Sequence, residues 1–269
     1  MKKIINFIKG TIIGIAMLVP GVSGGTMAII LGLYDEMIHA VSSFFKDIKK
    51  NTTFLFVVGI GGITGIFLFG RIIEYSLELF RMPMIYLFLG LIVGGIPILY
   101  KKATNGSKTK NDWLYLVIGF LIILVMSLYK GTLVDLASST GILKFLFLIL
   151  SGIIIAIALI LPGISTSFML LVLGLYDITL KAINNLEVNF LIPIILGVGI
   201  GVIATTKVLE NFLNKKPRPT YLMILGFVIG SIMEVFPGVP VGFDILVSIV
   251  TFVIGIAIIR FLSKVMVDN

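Results

Sequence analysis

Apolar stretches of about membrane-crossing length recur along the chain, separated by short polar segments. Charge-poor runs at 54–73, 84–100 and 113–129, and again at 190–209, 221–237 and 243–261, each approach the roughly 20 residues that a transmembrane helix needs. Two further apolar stretches are interrupted. Segment 12–35 reads IIGIAMLVPGVSGGTMAIILGLYD and segment 154–177 reads IIAIALILPGISTSFMLLVLGLYD, each with a Pro-Gly break at the same place. Lipid offers no water to freed backbone N–H and C=O groups, so such a break survives at membrane depth only where it is buried in protein or lines a cavity. Discontinuous segments at matching positions of two halves are the sequence mark of a transport site.

The two segments belong to a longer internal duplication. At an offset of 142, Pro20-Gly21, Ser23, Met27 and Gly32-Leu33-Tyr34-Asp35 fall on Pro162-Gly163, Ser165, Met169 and Gly174-Leu175-Tyr176-Asp177. At an offset of 136, Gly61, Gly65, Arg71, Glu74, Pro83, Gly90 and Gly94 fall on Gly197, Gly201, Lys207, Glu210, Pro219, Gly226 and Gly230. The expected organisation is a first repeat at 1–135 and a second at 136–269. Each holds a broken segment, 10–45 or 145–186, followed by three helices. If the broken segment turns back as a re-entrant hairpin, 16 of the 21 Lys and Arg share one side, against 13 if it crosses. The excess of basic residues on cytoplasmic loops favours the hairpin and puts both termini in the cytoplasm. The arm at 10–19 agrees, since ten residues at 1.5 Å each reach only about the midplane. The predicted fold is an all-α polytopic membrane protein built as an inverted repeat.

Composition narrows the function classes. With 58% hydrophobic residues, 13% charged and a mean hydropathy of +1.17, a water-soluble core is excluded. Met1-Lys2-Lys3 before an apolar run mimics a signal peptide, but no small-x-small cleavage site follows, so the run is read as structure. The chain has no cysteine and one histidine, His39, which argues against disulfides, thiolate or histidine metal sites; no metal and no cofactor is expected. The net charge of +8 sits in lysine clusters between apolar runs, where orientation in the membrane explains it, and no nucleic-acid partner is expected. His39 and Trp113 read as interfacial.

The candidate chemistry lies at the breaks. Ser23-Gly24-Gly25-Thr26 and Ser165-Thr166-Ser167 each open a new half-helix, whose free N–H groups, dipole end and hydroxyls suit an anion such as phosphate. Inverted repeats bring two such tips together near the bilayer centre. Arg71-x-x-Glu74 and Lys207-x-x-Glu210 place a cation and a carboxylate on one helix face, one pair toward each membrane surface, as for receiving and releasing an anionic headgroup. Snorkelling at a helix end is the simpler account of the same pairs. Glu74 and Glu210 are coupling candidates, and Glu78 and Glu234 are further acids that burial would make proton carriers. Asp35 and Asp177 read as fixing the hairpin ends. Gly61, Gly65, Gly90, Gly94 and their mates read as close-packing positions.

The duplicated PG(V/I)S tips, each followed nine residues later by GLYD, closely resemble the bacterial and archaeal polyprenyl-phosphate translocase family. The resemblance covers essentially the whole chain. It implies transport of undecaprenyl phosphate from the outer to the cytoplasmic leaflet of the cell membrane, recycling the lipid carrier of envelope precursors. The partners it implies are a polyprenyl phosphate and membrane lipids, with oligomerisation left open. A secondary transporter of a small soluble anion would use the same tips with an aqueous path. An intramembrane phosphatase would need a nucleophile or an acid–base group beside basic residues, and the tips offer neither His nor Cys nor a concentrated Arg cluster.

Overall fold

The computed structural model describes residues 2–19, 22–104, 111–128 and 141–267. Pro20-Gly21, the expected junction at 135/136, and Lys108, Lys110 and Lys130 of the charge count lie outside them. Among the described residues there are twelve α-helices, one 3-10 turn (Phe44–Lys46) and no strand. The first half comprises α1 (Lys2–Met17), α2 (Gly24–Ile30), α3 (Tyr34–Ser42), α4 (Ile48–Leu79), α5 (Arg81–Thr104) and α6 (Asp112–Leu128). The second comprises α7 (Ile142–Ile160), α8 (Thr166–Val172), α9 (Tyr176–Asn184), α10 (Val188–Lys215), α11 (Pro217–Val235) and α12 (Asp244–Val267). Six of these, α4, α5, α7, α10, α11 and α12, are long and apolar enough to cross a membrane. The chain is a multi-pass membrane protein.

Most helices outrun the expected stretches. The run at 54–73 belongs to a helix of 32 residues, about 48 Å long, because hydropathy marks only the lipid-immersed part while the polar ends stay helical. Asp47 caps that helix by accepting from the Lys50 N–H at 3.1 Å. The hairpin arms are also longer than expected, starting at Lys2 and Ile142 rather than at 10 and 145.

Glycine seams set the directions of neighbouring helices. A Cβ on Gly10 would strike Val58 and one on Gly14 would strike Gly62, while Gly61 abuts Phe7 and Gly65 abuts Thr11. Positions therefore rise together along α1 and α4, so the two helices run parallel. The same holds for α7 and α10, where Gly197 meets Ile149 and Gly201 meets Ile153. A chain that descends α1 and then begins α4 at the same face has turned back, so 2–42 is re-entrant, and 142–184 likewise. Between α8 and α9 the axis bends by 113°.

The last helix of each half packs on the other half. Gly90 and Gly94 of α5 abut Phe252 and Ile256 of α12, and Gly119 of α6 abuts Met223 of α11, again in parallel. Helices α4, α5, α10 and α11 each suffice to span about 30 Å, so consecutive ones joined by a single residue must reverse. With these constraints each of α1, α4, α5 and α6 runs opposite to its counterpart among α7, α10, α11 and α12, an arrangement compatible with an inverted repeat. One face then gathers the starts of α1, α4, α6 and α11 and the ends of α5, α10 and α12. It is the lysine-rich face.

The GLYD motif is a helix stop. After α2, Gly32 takes φ +71°, its N–H bonds Ile29 O, and the Leu33 N–H bonds Ala28 O at 2.8 Å; Gly174 (φ +70°) and Leu175 repeat the pattern after α8. This is a Schellman closure, which favours glycine at the left-handed position and an apolar residue after it. Leu33 and Leu175 are both buried. Tyr and Asp then open α3 and α9.

Candidate functional site

The two breaks face one chamber of about 750 Å³. Ser23, Gly24 and Gly25 line it from one side, and Ser165, Thr166 and Ser167 from the other. The tips touch: a Cβ on Gly25 would lie 3.3 Å from Pro162 Cα. The first intrahelical bonds are Met27 N–H to Ser23 O (3.2 Å) and Met169 N–H to Ser165 O (3.0 Å). The N–H groups of Gly24, Gly25, Thr166 and Ser167 therefore precede any helical acceptor and are the orphan donors of their helices. Helices α2 and α8 have seven residues each, so these donors and the hydroxyls, more than a macrodipole, would hold an anion.

The two caps differ. Ser165 Oγ accepts the Phe168 N–H at 3.4 Å, whereas Ser23 forms no side-chain cap. Thr26, expected at the site, is buried within α2 away from the chamber wall. Gly163 holds φ +86°, and a Cβ there would sit 2.6 Å from the Val228 nitrogen, so the second tip is seated directly on the backbone of α11.

The charged pairs lie elsewhere. Arg71 and Glu74 border shallow grooves at the far end of α4, Lys207 is exposed, and among the described residues neither Arg71–Glu74 nor Lys207–Glu210 closes as an ion pair. Glu210 turns instead to α3: His39 Nδ1 donates to its Oε1 at 2.5 Å and Ser42 Oγ donates to its Oε2. No described Lys or Arg lines the chamber. Its one carboxylate is Glu234, near the end of α11. Glu234 also borders a groove with Arg81, Leu77, Met82, Ile85 and Phe236, and Leu18 joins the chamber to a second groove that holds Arg81, Glu74 and Glu78. These depressions carry the chamber toward the face opposite the lysine-rich one. Sequence reasoning missed Arg81 and ranked Glu234 low because neither has a charged repeat mate: at the offset of 136 they correspond to Pro217 and Ile98. An isolated charge beside an apolar run was the signal available.

Toward the lysine-rich face the chamber is covered by α3, which packs on α10. Asp35 accepts from Lys102 at 2.6 Å and from the Tyr221 hydroxyl, tying α3 to α5 and α11. The Tyr34 hydroxyl donates at 2.9 Å to the Ile160 carbonyl, an orphan at the end of α7.

A family model described as undecaprenyl phosphate translocase-like matches residues 13–245. The chain belongs to this family. It is 35% identical to a protein of Staphylococcus aureus (strain NCTC 8325 / PS 47) named polyprenyl-phosphate transporter, over 99% of this chain and 98% of that one. It is 26% identical to a protein of the same name from Vibrio cholerae serotype O1, over 88% of this chain and 79% of the relative. No solved structure matches the chain.

Proposed function

We propose that this protein carries a polyprenyl phosphate such as undecaprenyl phosphate across the membrane, from the outer to the cytoplasmic leaflet, returning the carrier lipid for reuse. The observation that carries the reading is the single chamber into which two oppositely oriented, hydroxyl-bearing helix breaks project. Its donors are neutral, so they can screen a phosphate and release it again, where a cluster of buried cations would trap it. Arg81 at the mouth is the cation that first meets the headgroup. The apolar wall beside it, Leu77, Met82, Ile85 and Phe236, suits a prenyl tail that stays in lipid, and this favours a lipid over a small soluble anion. Arg71 and Lys207, exposed near opposite ends, draw the anionic headgroup to the two surfaces. Glu234, in the chamber wall, is the acid placed for coupling, while Glu74 and Glu210 lie outside the chamber lining.

The chain acts as a carrier and not an enzyme, in the cell membrane, with the lysine-rich face and both termini in the cytoplasm. The test is reconstitution. Purified protein in vesicles should move a labelled polyprenyl phosphate between leaflets, and Arg81→Gln should slow that movement. Faster uptake of a soluble phosphate compound than of the lipid would favour the soluble-anion reading instead. Cysteines at the exposed Lys3 and Lys50 should both react only from the cytoplasmic side; labelling on opposite faces would sink the proposed orientation.

A further inference from the structure

The two hairpins share one plan but occupy different positions. In the first, Ile29 is 1% and Ile38 is 4% exposed; their repeat mates, Leu171 and Leu180, are 54% and 44% exposed. Helix α3 packs on α10, whereas α9 has no comparable packing on α4, its pseudo-equivalent partner. The repeat offsets then pair the residues of the Glu210 and Tyr34 contacts with residues that stand apart. His39 and Ser42 correspond to Lys181 and Asn184, and Glu210 to Glu74. Tyr34 and Ile160 correspond to Tyr176 and Leu18, which both line the chamber. Lys181, Asn184 and Glu74 are exposed.

We propose that Lys181 and Asn184 are the partners of Glu74 in a second state of the protein, in which the second hairpin closes on α4 as the first now closes on α10. In that state the Lys181 ammonium and the Asn184 amide donate to the Glu74 carboxylate and the Tyr176 hydroxyl donates to the Leu18 carbonyl. Meanwhile Glu210 releases His39 and Ser42 and the chamber opens toward the lysine-rich face. Each carboxylate is thus the latch of one side, and only one is fastened at a time. Closing the second hairpin on α4 would bury Leu171 and Leu180 as their repeat mates Ile29 and Ile38 are buried here. The charge chemistry differs between the sides: a lysine and an amide replace an imidazole and a hydroxyl.

This inference rests on the transport reading, and its test separates the two. The chain has no cysteine, so paired cysteines can be placed cleanly. His39→Cys with Glu210→Cys and, separately, Lys181→Cys with Glu74→Cys are oxidised or bridged with a short bifunctional thiol reagent in vesicles. Both pairs should cross-link, and each link should stop lipid movement. In the second pair's link, a cysteine at Leu171 should lose at least tenfold of its reactivity toward a water-soluble maleimide, and in the first pair's it should keep it. A Lys181/Glu74 pair that never links while the His39/Glu210 pair links readily would overturn the proposal. Should the paired cysteines impair folding, charge reversal decides: Lys181→Glu or Glu74→Lys alone should slow transport severalfold and the double reversal should restore it, whereas no restoration overturns the latch. If both links form and the wild type moves no polyprenyl phosphate, the transport reading fails while the exchange stands.

Discussion

The first hairpin is fastened and the second is not, although Pro, Gly, Ser, Met and the GLYD motif recur in both at one spacing. Beyond the Glu210 contacts, the first is held by Asp35, whose partners Lys102 and Tyr221 correspond at the offset of 136 to Gly238 and Ile85. Asp177 has no described equivalent of that anchor. The comparison teaches that the hairpin is encoded twice, while positions inside the duplication where the two halves differ, Lys102 and Tyr221 against Gly238 and Ile85, anchor only the first.

The largest effect that breaks the comparison is expected at the second tip. Gly163→Val forces a branched residue into a left-handed backbone, about 1–2 kcal/mol, and drives its Cβ against the α11 backbone, about 1–3 kcal/mol more. A fall of about 2–5 kcal/mol should appear as a loss of thermal stability or of monodisperse protein in detergent. Gly25→Ala at the first tip meets only Pro162, at 3.3 Å, and should lose about 1 kcal/mol or less.

Next comes the anchor. Asp35→Asn removes the carboxylate from Lys102 and Tyr221, a part-exposed arrangement worth about 1 kcal/mol, or roughly fivefold in the balance of positions. A cysteine at the buried Ile38 should become that much more reactive to maleimide in this background, while Asp177→Asn leaves Leu180→Cys labelling unchanged. Equal responses in both hairpins would mean that Asp35 carries no bias.

The caps sharpen the comparison further. Ser165→Ala loses the bond to the Phe168 N–H and should cost about 0.5–1 kcal/mol of stability, whereas Ser23→Ala should cost almost none. Both should weaken polyprenyl phosphate binding by about 1–2 kcal/mol, read by titration of the purified protein. Binding unchanged in both would make the tips packing elements. The smallest effect is at Gly24, where a Cβ presses on the flexible end of Met17 at 3.0 Å and otherwise makes ordinary contact with Ile13 at 3.6 Å. Gly24→Ala should leave stability within about 0.5 kcal/mol.

Much of this arrangement was legible because repeat and hydropathy are local signals. The offset of 142 located both tips, and the GLYD stop needs only its own four residues. The lysine distribution favoured a hairpin that the register of Gly10, Gly14, Gly61 and Gly65 independently requires. The glycines read as packing positions do pack. What stayed hidden depends on distance in space. Arg81 reaches the mouth and Glu234 the wall only because α4, α5 and α11 converge there. Arg71 and Lys207 face away from the chamber, a matter of helix rotation that spacing within one helix cannot fix. The unequal hairpins stayed hidden because Lys102 and Tyr221, whose repeat mates are Gly238 and Ile85, meet Asp35 only in the folded chain.

The exchange of α6 and α12 between halves bears on how the protein is made. When the ribosome has delivered the first half, Gly90, Gly94 and Gly119 present bare seams whose partners, Phe252, Ile256 and Met223, are still unsynthesised. Neither half completes its packing on these seams until the final helices arrive. A chain stopped after α6 is therefore an adhesive fragment and not half of a carrier, and two fragments made separately carry matched seams by which to find each other.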